Sequence, residues 1–414
     1  MLHIPPGRVD GRVAAPSSKS DAQRAVAAAS LARGRSVISG CTASADTDAA
    51  LRVAEGLGAL VERAGTDVGI EGWHHKPASR ADCGESGLAL RMFAAVAALH
   101  DREITLEGRG SLAARPVGMI EDALRACGVA CRSRDGHPPL VVCGPVRGGV
   151  IRVDGSVTSQ HVTGLLLALP LAAEDTELTV LRATSRPYLG MTVRTLRAFG
   201  IDVEATPDLS DFRLAGRQRY HPARYVVEGY WSGASCVLVA GAIAGRVEVG
   251  NLDVSSAQAD RAIVDVIRQA GARVSIDATT VAVEQGDLEA FEWDAGDAPD
   301  LVPALVALAC HCRGTSRISG VARLRHKESD RVSALMGMVR AMGGQADAAG
   351  DSLEVTGSAV RGGAVETHHD HRIAMAAAVV ALRTEAGVTL DDDACVAKSY
   401  PQFFSDLRRL GGQS

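Results

Sequence analysis

Four short runs carry charged residues at a density that a folded core does not need. PSSKSDAQR, residues 16–24, puts Lys19 at a helix start and Arg24 one turn further on. RHKESDR, residues 325–331, crowds Lys327, Glu328, Asp330 and Arg331 into five positions. HHDHRIAM, residues 368–375, sets three histidines and an aspartate beside Arg372, and AKSYPQF, residues 397–403, carries Lys398 at the expected opening of the last helix. Lysine, serine and arginine at a helix start suit a phosphate or a carboxylate, because free N–H groups and a partial positive charge already gather there. The first run lacks the glycines of a nucleotide P-loop. The histidine run lacks HExxH spacing, and the neighbouring Arg372 disfavours a second cation, so no metal is expected.

These runs need elements to position them, and the sequence repeats those elements. Six amphipathic stretches end in a glycine: EGLGALVE, RACGVACR, RAFGIDVE, RQAGARVS, RAMGGQAD and RRLGGQS. Gly58, Gly128, Gly200, Gly271, Gly343 and Gly411 are separated by 70, 72, 71, 72 and 68 residues. Glycine suits the left-handed residue that closes a helix. Val193, Leu196 and Phe199 show helical spacing before one such glycine, and Ile201, Val203 and Ala205 alternate after it as a strand would. Six copies at near-constant spacing predict six copies of one unit.

A second helix recurs at the same period and is apolar nearly all round, as in RAVAAASLA, HVTGLLLALPLA and RIAMAAAVVAL, so it is expected to be buried. Each copy opens on a polar cluster: Lys19-Ser20, Ser86-Gly87, Ser159-Gln160, Ser232-Gly233, Asp300, and Asp370-His371-Arg372. Helix capping alone explains Ser, Asp and Gly at such places. It does not explain Lys19, Arg24, Arg91 and Arg372, for which a buried helix has no structural use. If the buried helices of a domain run parallel, their heads share one end. Two domains of three units would then surround an anion-attracting cleft. Strands are expected at Arg35–Ser39, Glu103–Glu107, Glu177–Leu181, Arg246–Gly250, Ser316–Ser319 and Gly387–Leu390, with domain crossings near Tyr225–Gly229 and Val13–Pro16.

Bulk properties narrow the class. A chain of 414 residues suits two domains of about 200. A net charge of −5 disfavours nucleic acid and anionic membranes as partners. Nine scattered cysteines read as free thiols of a reducing compartment, including Cys310 and Cys312 on either side of His311. The N-terminus has no apolar signal core and no run reaches spanning length, so a cytoplasmic protein is expected.

Taken together and in order, the runs resemble the 5-enolpyruvylshikimate-3-phosphate synthases. The likeness spans essentially the whole chain and includes PSSKSDAQR, SGLALR (86–91), ARPVG (114–118), GSVTSQ (155–160), SRPY (185–188), DAPD (297–300), RHKESDR, HDHRIAM and AKSYPQF. It implies an α/β fold of two inside-out, barrel-like domains. Each has three βαβαββ repeats, and the active site lies in the cleft between them. Residues 16–227 would form an inserted domain, and residues 1–15 with 228–414 a discontinuous one.

The resemblance also implies roles. Shikimate 3-phosphate would be held by Lys19, Ser20, Arg24, Thr158, Ser159, Gln160, Ser185, Tyr188, Asp300, Arg323 and Lys327. Arg24 would take its carboxylate, and Ser159 and Ser185 with Thr158 its phosphate. Phosphoenolpyruvate would be held by Lys19, Gly87, Arg115, Gln160, Arg331, Arg372 and Lys398, with Arg331 and Arg372 clamping its carboxylate. About four anionic groups must share this space, and like charges at short range repel strongly, so many cations are required. Asp300 would be the base for the attacking hydroxyl and Glu328 the acid for the methylene carbon, with Lys19 completing the catalytic set. No cofactor is implied, and a monomer acting on two small molecules is expected.

Four positions depart from the family pattern. Glu85 and Leu88 replace a polar amide and a hydroxyl, Arg323 replaces an asparagine, and Trp231 precedes the fourth buried helix where small or acidic residues are usual. They leave open a related transferase acting on another hydroxylated ring acid. The sister family that uses a UDP-amino sugar carries a cysteine in a mobile loop, whereas Gly108–Pro116 here has none and bears Arg115.

Overall fold

The computed structural model describes residues 1–411. Its chain divides into two compact units, one of Ser17–Val227 and one joining Met1–Pro16 to the chain from Glu228 onward.

The repeats are built on one plan, which the third shows in full. In the third, strand Gly149–Asp154 leads into helix Gln160–Ala168, then strand Thr176–Leu181, helix Arg186–Ala198 and a hairpin of Glu204–Ala205 and Asp211–Leu214. The first two strands pair in parallel, and the hairpin adds antiparallel strands on the far side. A parallel pair needs a crossover, and the buried helix is that crossover. Among the described residues, five four-stranded sheets share this order, and a sixth has three strands.

The expected strands are present at Gly34–Ser39, Glu103–Glu107, Thr176–Leu181, Gly245–Gly250, Thr315–Ser319 and Val388–Leu390. The strand read from Ile201 onward is shorter, covering only Glu204–Ala205. Two leading strands come from far along the chain. Arg224–Val226 leads the first sheet, and Val9–Ala14 leads the fourth, each in parallel register. Leu2–Ile4 completes the three-stranded sheet by pairing antiparallel with Val388–Leu390.

Helices occupy the core, as a helix apolar on every face must. Trp231–Ala244 is buried at every position, as are Gly87–Ala97 and His371–Ala381. Small residues let these helices approach closely. A Cβ on Gly164 would lie 2.5 Å from the Met92 carbonyl oxygen, so only glycine fits there. Each unit has its own apolar cluster, and none of the helices is long and apolar enough to cross a membrane among the described residues.

Five of the six repeat glycines have positive φ, for example +78° at Gly200. Gly411 does not: its φ is −80°, and it is the residue that caps the last helix rather than a left-handed one. Trp231 is likewise not before the fourth buried helix but is its first residue, with the indole Nε1 donating to the Asp253 carbonyl at 3.0 Å.

Candidate active site

In the discontinuous unit, three heads of buried helices meet. Asp300 lies in the short turn Pro299–Leu301 that opens the Val302–Ala309 helix, and Arg372 lies in the first turn of His371–Ala381. Tyr230 caps Trp231–Ala244. Arg372 joins all three. Its Nη2 donates to Asp300 Oδ2 at 3.0 Å and to the Tyr230 hydroxyl at 2.9 Å, and its Nη1 donates to the Asp300 carbonyl at 3.1 Å.

RHKESDR joins this cluster rather than lying on a solvated face. Asp330 caps helix Arg331–Ala341 through the Ser333 amide, which turns Arg331 inward until it is 1% exposed. Arg331 then meets three carboxylates. Nη1 donates to Asp300 Oδ1 at 3.0 Å and Nη2 to Glu328 Oε2 at 2.7 Å. Asp370 takes Nε at 2.7 Å and Nη2 at 3.2 Å. Lys327 Nζ reaches Asp300 Oδ1 at 3.4 Å.

Electrostatics follow from this crowding. Burial works to raise the Asp300 pKa, but Arg372, Lys327 and Arg331 outweigh it and hold the carboxyl well below its usual range. Burial likewise works against the charge on Arg331, yet Asp370, Glu328 and Asp300 hold its pKa above the ordinary value.

Lys398 is buried at the end of the turn Ala394–Lys398. It does not open the last helix, which begins at Phe403, because Pro401 interrupts the chain between them. Arg323 Nη2 donates to the Gly296 carbonyl. The histidine run disperses: His369 Nδ1 meets Asp392 at 2.7 Å, His368 faces Glu366, and His371 is buried. Burial pushes the Cys310 and Cys312 thiols up to about 12 and pulls His311 down to about 4, so all three are neutral near pH 7.

In the inserted unit the heads meet too. Ser86, which caps helix Gly87–Ala97, donates to Gln23 Oε1 at 2.9 Å, and Arg91 Nη1 donates to Gln160 Oε1 at 2.9 Å. Lys19, at the start of Lys19–Leu31, pairs with Asp46 at 2.7 Å with both side chains almost buried. Arg91 Nη2 also holds the Pro116 carbonyl at 3.1 Å, next to the buried Arg115. A Cβ on Gly87 would lie 2.6 Å from Arg91 Nη1 and 2.7 Å from Arg115 Nη1. Glycine here makes room for two guanidinium groups.

Glu85 fastens the loop that bears Arg115. Its Oε2 accepts from the Ser111 amide at 3.2 Å and the Ser111 hydroxyl at 2.8 Å. Leu88 is buried in the helix that follows. Ser159 and Ser185 stand at the heads of Gln160–Ala168 and Arg186–Ala198, and Thr158 Oγ1 accepts from the Gln160 amide at 3.2 Å. Ser185 has φ +52°, an uncommon backbone state for serine that gathers at functional sites.

Ser20 follows Lys19 in the first turn, and its carbonyl accepts from Arg24 Nη1 at 2.6 Å. Arg24 is committed to its own unit. It also bonds Thr192 Oγ1 at 3.0 Å, Thr163 Oγ1 at 3.3 Å and the Tyr188 carbonyl at 3.2 Å. Its guanidinium carbon lies 6.0 Å from the Tyr188 ring. Burial pulls its pKa down to about 10.

Sequence reasoning missed Asp46 and Tyr230, and gave Asp370 no role. Asp46 reads as an ordinary acid in the first turn of helix Ala45–Gly56, and Tyr230 as an aromatic beside a core helix. The Ser-Asp spacing of ASADTD was the only available signal for Asp46.

Helix heads studded with cations and carboxylates, in two units of three repeats each, mark an enzyme of small anions. The model of the family EPSP synthase (3-phosphoshikimate 1-carboxyvinyltransferase) matches residues 4–407. The 3-phosphoshikimate 1-carboxyvinyltransferase of Aeropyrum pernix is 41% identical, covering 99% of this chain and 95% of that protein. That of Methanocorpusculum labreanum is 36% identical over 99% of this chain and 98% of that protein. Among solved structures, EPSP synthase of Acinetobacter baumannii superposes with a TM-score of 0.83 at 26% identity, covering 99% of this chain and 98% of that one. The enolpyruvyl transferase NikO from Streptomyces tendae shares the fold, with a TM-score of 0.81 at 18% identity over 99% of this chain and 96% of that one. The chain belongs to the EPSP synthase family.

Proposed function

We propose that this protein transfers the enolpyruvyl group of phosphoenolpyruvate to the 5-hydroxyl of shikimate 3-phosphate, with release of phosphate. Family membership over the whole chain supports the reaction. One observation carries the site: a single carboxylate, Asp300, gripped by Lys327, Arg331 and Arg372 beside a second one, Glu328.

In this reading Asp300 takes the proton of the 5-hydroxyl as the oxygen attacks C2 of phosphoenolpyruvate, while Glu328 protonates the methylene carbon. The tetrahedral intermediate then returns a methyl proton and expels phosphate. A carboxylate held far below its usual pKa is a poor base. Ligand anions that draw Arg331 and Arg372 toward themselves relieve that grip, so the proton affinity of Asp300 rises when the donor binds. Arg331, Arg372, Arg115, Gln160, Lys398 and Lys19 hold the donor. Ser20, Arg24, Thr158, Ser159, Ser185, Tyr188, Arg323 and Lys327 hold the acceptor, Arg24 through its remaining donor. The same reading makes the protein a cytoplasmic monomer without cofactor.

The test is phosphate release from the two substrates by purified protein. Asp300→Ala and Glu328→Ala should each lower turnover by about two orders of magnitude. Turnover of a different ring acid with none of shikimate 3-phosphate would assign the chain to the related acceptor class instead. Near-wild-type rates in both variants would overturn the acid–base roles.

A further inference from the structure

Tyr230 stands among the charges of the discontinuous unit without adding one. It is 3% exposed, and its amide donates to the Pro16 carbonyl at 2.8 Å. A Cβ on Gly233 would lie 2.9 Å from ring carbon Cδ1, so the next helical turn is cut back to seat the ring. The hydroxyl oxygen accepts from Arg372 Nη2 at 2.9 Å, and the same Nη2 donates to Asp300 Oδ2 at 3.0 Å. Both hydrogens of that nitrogen are thereby directed. Among the described residues nothing accepts the hydrogen of Tyr230 itself.

Packing alone would be served by phenylalanine, since the ring is buried whatever its para substituent. The charge balance gives the hydroxyl a use. Asp300, Glu328 and Asp370 face Lys327, Arg331 and Arg372 in this cluster, three against three. A fourth carboxylate against Arg372 would tip it negative and oppose an incoming anion. A phenol orients the guanidinium with no such cost.

We propose that Tyr230 is a positioning and binding residue for the carboxylate of the enolpyruvyl donor. It holds Arg372 in place as a neutral acceptor and donates its own hydrogen to the carboxylate that Arg372 takes up. This rests on the reading above that Arg372 receives the donor's carboxylate.

Tyr230→Phe removes the hydroxyl and little else. The KM for phosphoenolpyruvate should rise about ten-fold or more, the scale of one lost hydrogen bond to a charged group, with KM for shikimate 3-phosphate unchanged. Tyr230→Asp restores an acceptor for Arg372 but adds charge. It should recover turnover relative to Tyr230→Phe while keeping a raised KM for phosphoenolpyruvate. Phosphorus NMR titration with phosphoenolpyruvate reads binding without turnover, and melting temperature controls for folding. Equal phosphoenolpyruvate affinity in wild type and Tyr230→Phe, or an equal rise in both KM values with a lowered melting temperature, overturns the proposal and leaves the reaction standing. Tyr230-dependent binding of phosphoenolpyruvate without turnover of shikimate 3-phosphate overturns the acceptor and leaves the role of Tyr230 standing.

Discussion

Arg331 and Asp370 form a two-point ion pair, Nε to Oδ2 at 2.7 Å and Nη2 to Oδ1 at 3.2 Å, with side-chain exposures of 1% and 0%. A fork of this kind fixes the plane of the guanidinium as well as its position. Asp370 is itself fixed, because it accepts from the Arg372 amide at 3.0 Å and from the Ser329 hydroxyl at 3.0 Å. One carboxylate therefore sets the placement of both arginines. Asp370→Asn turns one acceptor into a donor that faces an N–H. Breaking a buried pair costs about 3 kcal/mol or more, which urea unfolding would read. KM for phosphoenolpyruvate should rise as well, and a variant as stable as wild type would refute the role.

Asp300 has a folded pKa below its ordinary value of 3.8. Its contribution to stability is complete above the unfolded value and disappears as pH falls below about 4 through the folded one. Asp300→Asn should therefore differ most from wild type near neutrality, with the gap closing in acid. Urea midpoints from pH 7 down to pH 3 check this. A gap that widened as pH fell would contradict it.

Gly87→Ala places a Cβ within 2.7 Å of both Arg91 and Arg115, so a guanidinium must move. The backbone there needs no left-handed state, so the fold should survive. The expected outcome is a raised KM for phosphoenolpyruvate, about ten-fold, with shikimate 3-phosphate affinity little changed. Steady-state kinetics with each substrate varied would show it.

Glu85→Ala releases the Ser111 amide and hydroxyl. The turn carrying Arg115 should loosen, again raising KM for phosphoenolpyruvate. Hydrogen exchange at residues 109–115 should quicken at the same time. Slow exchange in the variant would show that the loop is held by other contacts.

Gly200 and Gly411 look alike in sequence and should behave differently. Alanine at Gly200 must adopt φ +78° and would bring its Cβ to 2.6 Å from His221 Cδ2. Left-handed strain alone costs about 1 kcal/mol. Gly411 has φ −80° with its nearest contact at 3.5 Å, so alanine there should shift stability by less than about 0.5 kcal/mol. Thermal melts of the two variants make the comparison.

The repeat was legible because glycine and an all-apolar helix leave marks that local chemistry alone explains. Which strands pair was less so. Val9–Ala14 and Arg224–Val226 join sheets whose other strands lie far along the chain, and no local pattern encodes a distant partner. Cations were legible as residue types, but their engagement was not. Arg24 and Arg372 read alike in sequence, yet the first is spent largely on carbonyls and threonines and the second on Asp300 and Tyr230. Asp46 was hidden because an aspartate in a helical first turn already has a sufficient local reason to be there.

Strand topology also dictates an order of events at the ribosome. The inserted unit has all its strands once Val226 has emerged, since Arg224–Val226 is the last of them in the chain. Leu2–Ile4 precedes that unit in the chain, and its partner Val388–Leu390 follows it. Vectorial synthesis thus supplies every strand of the inserted unit while Leu2–Ile4 still waits as an unpaired edge.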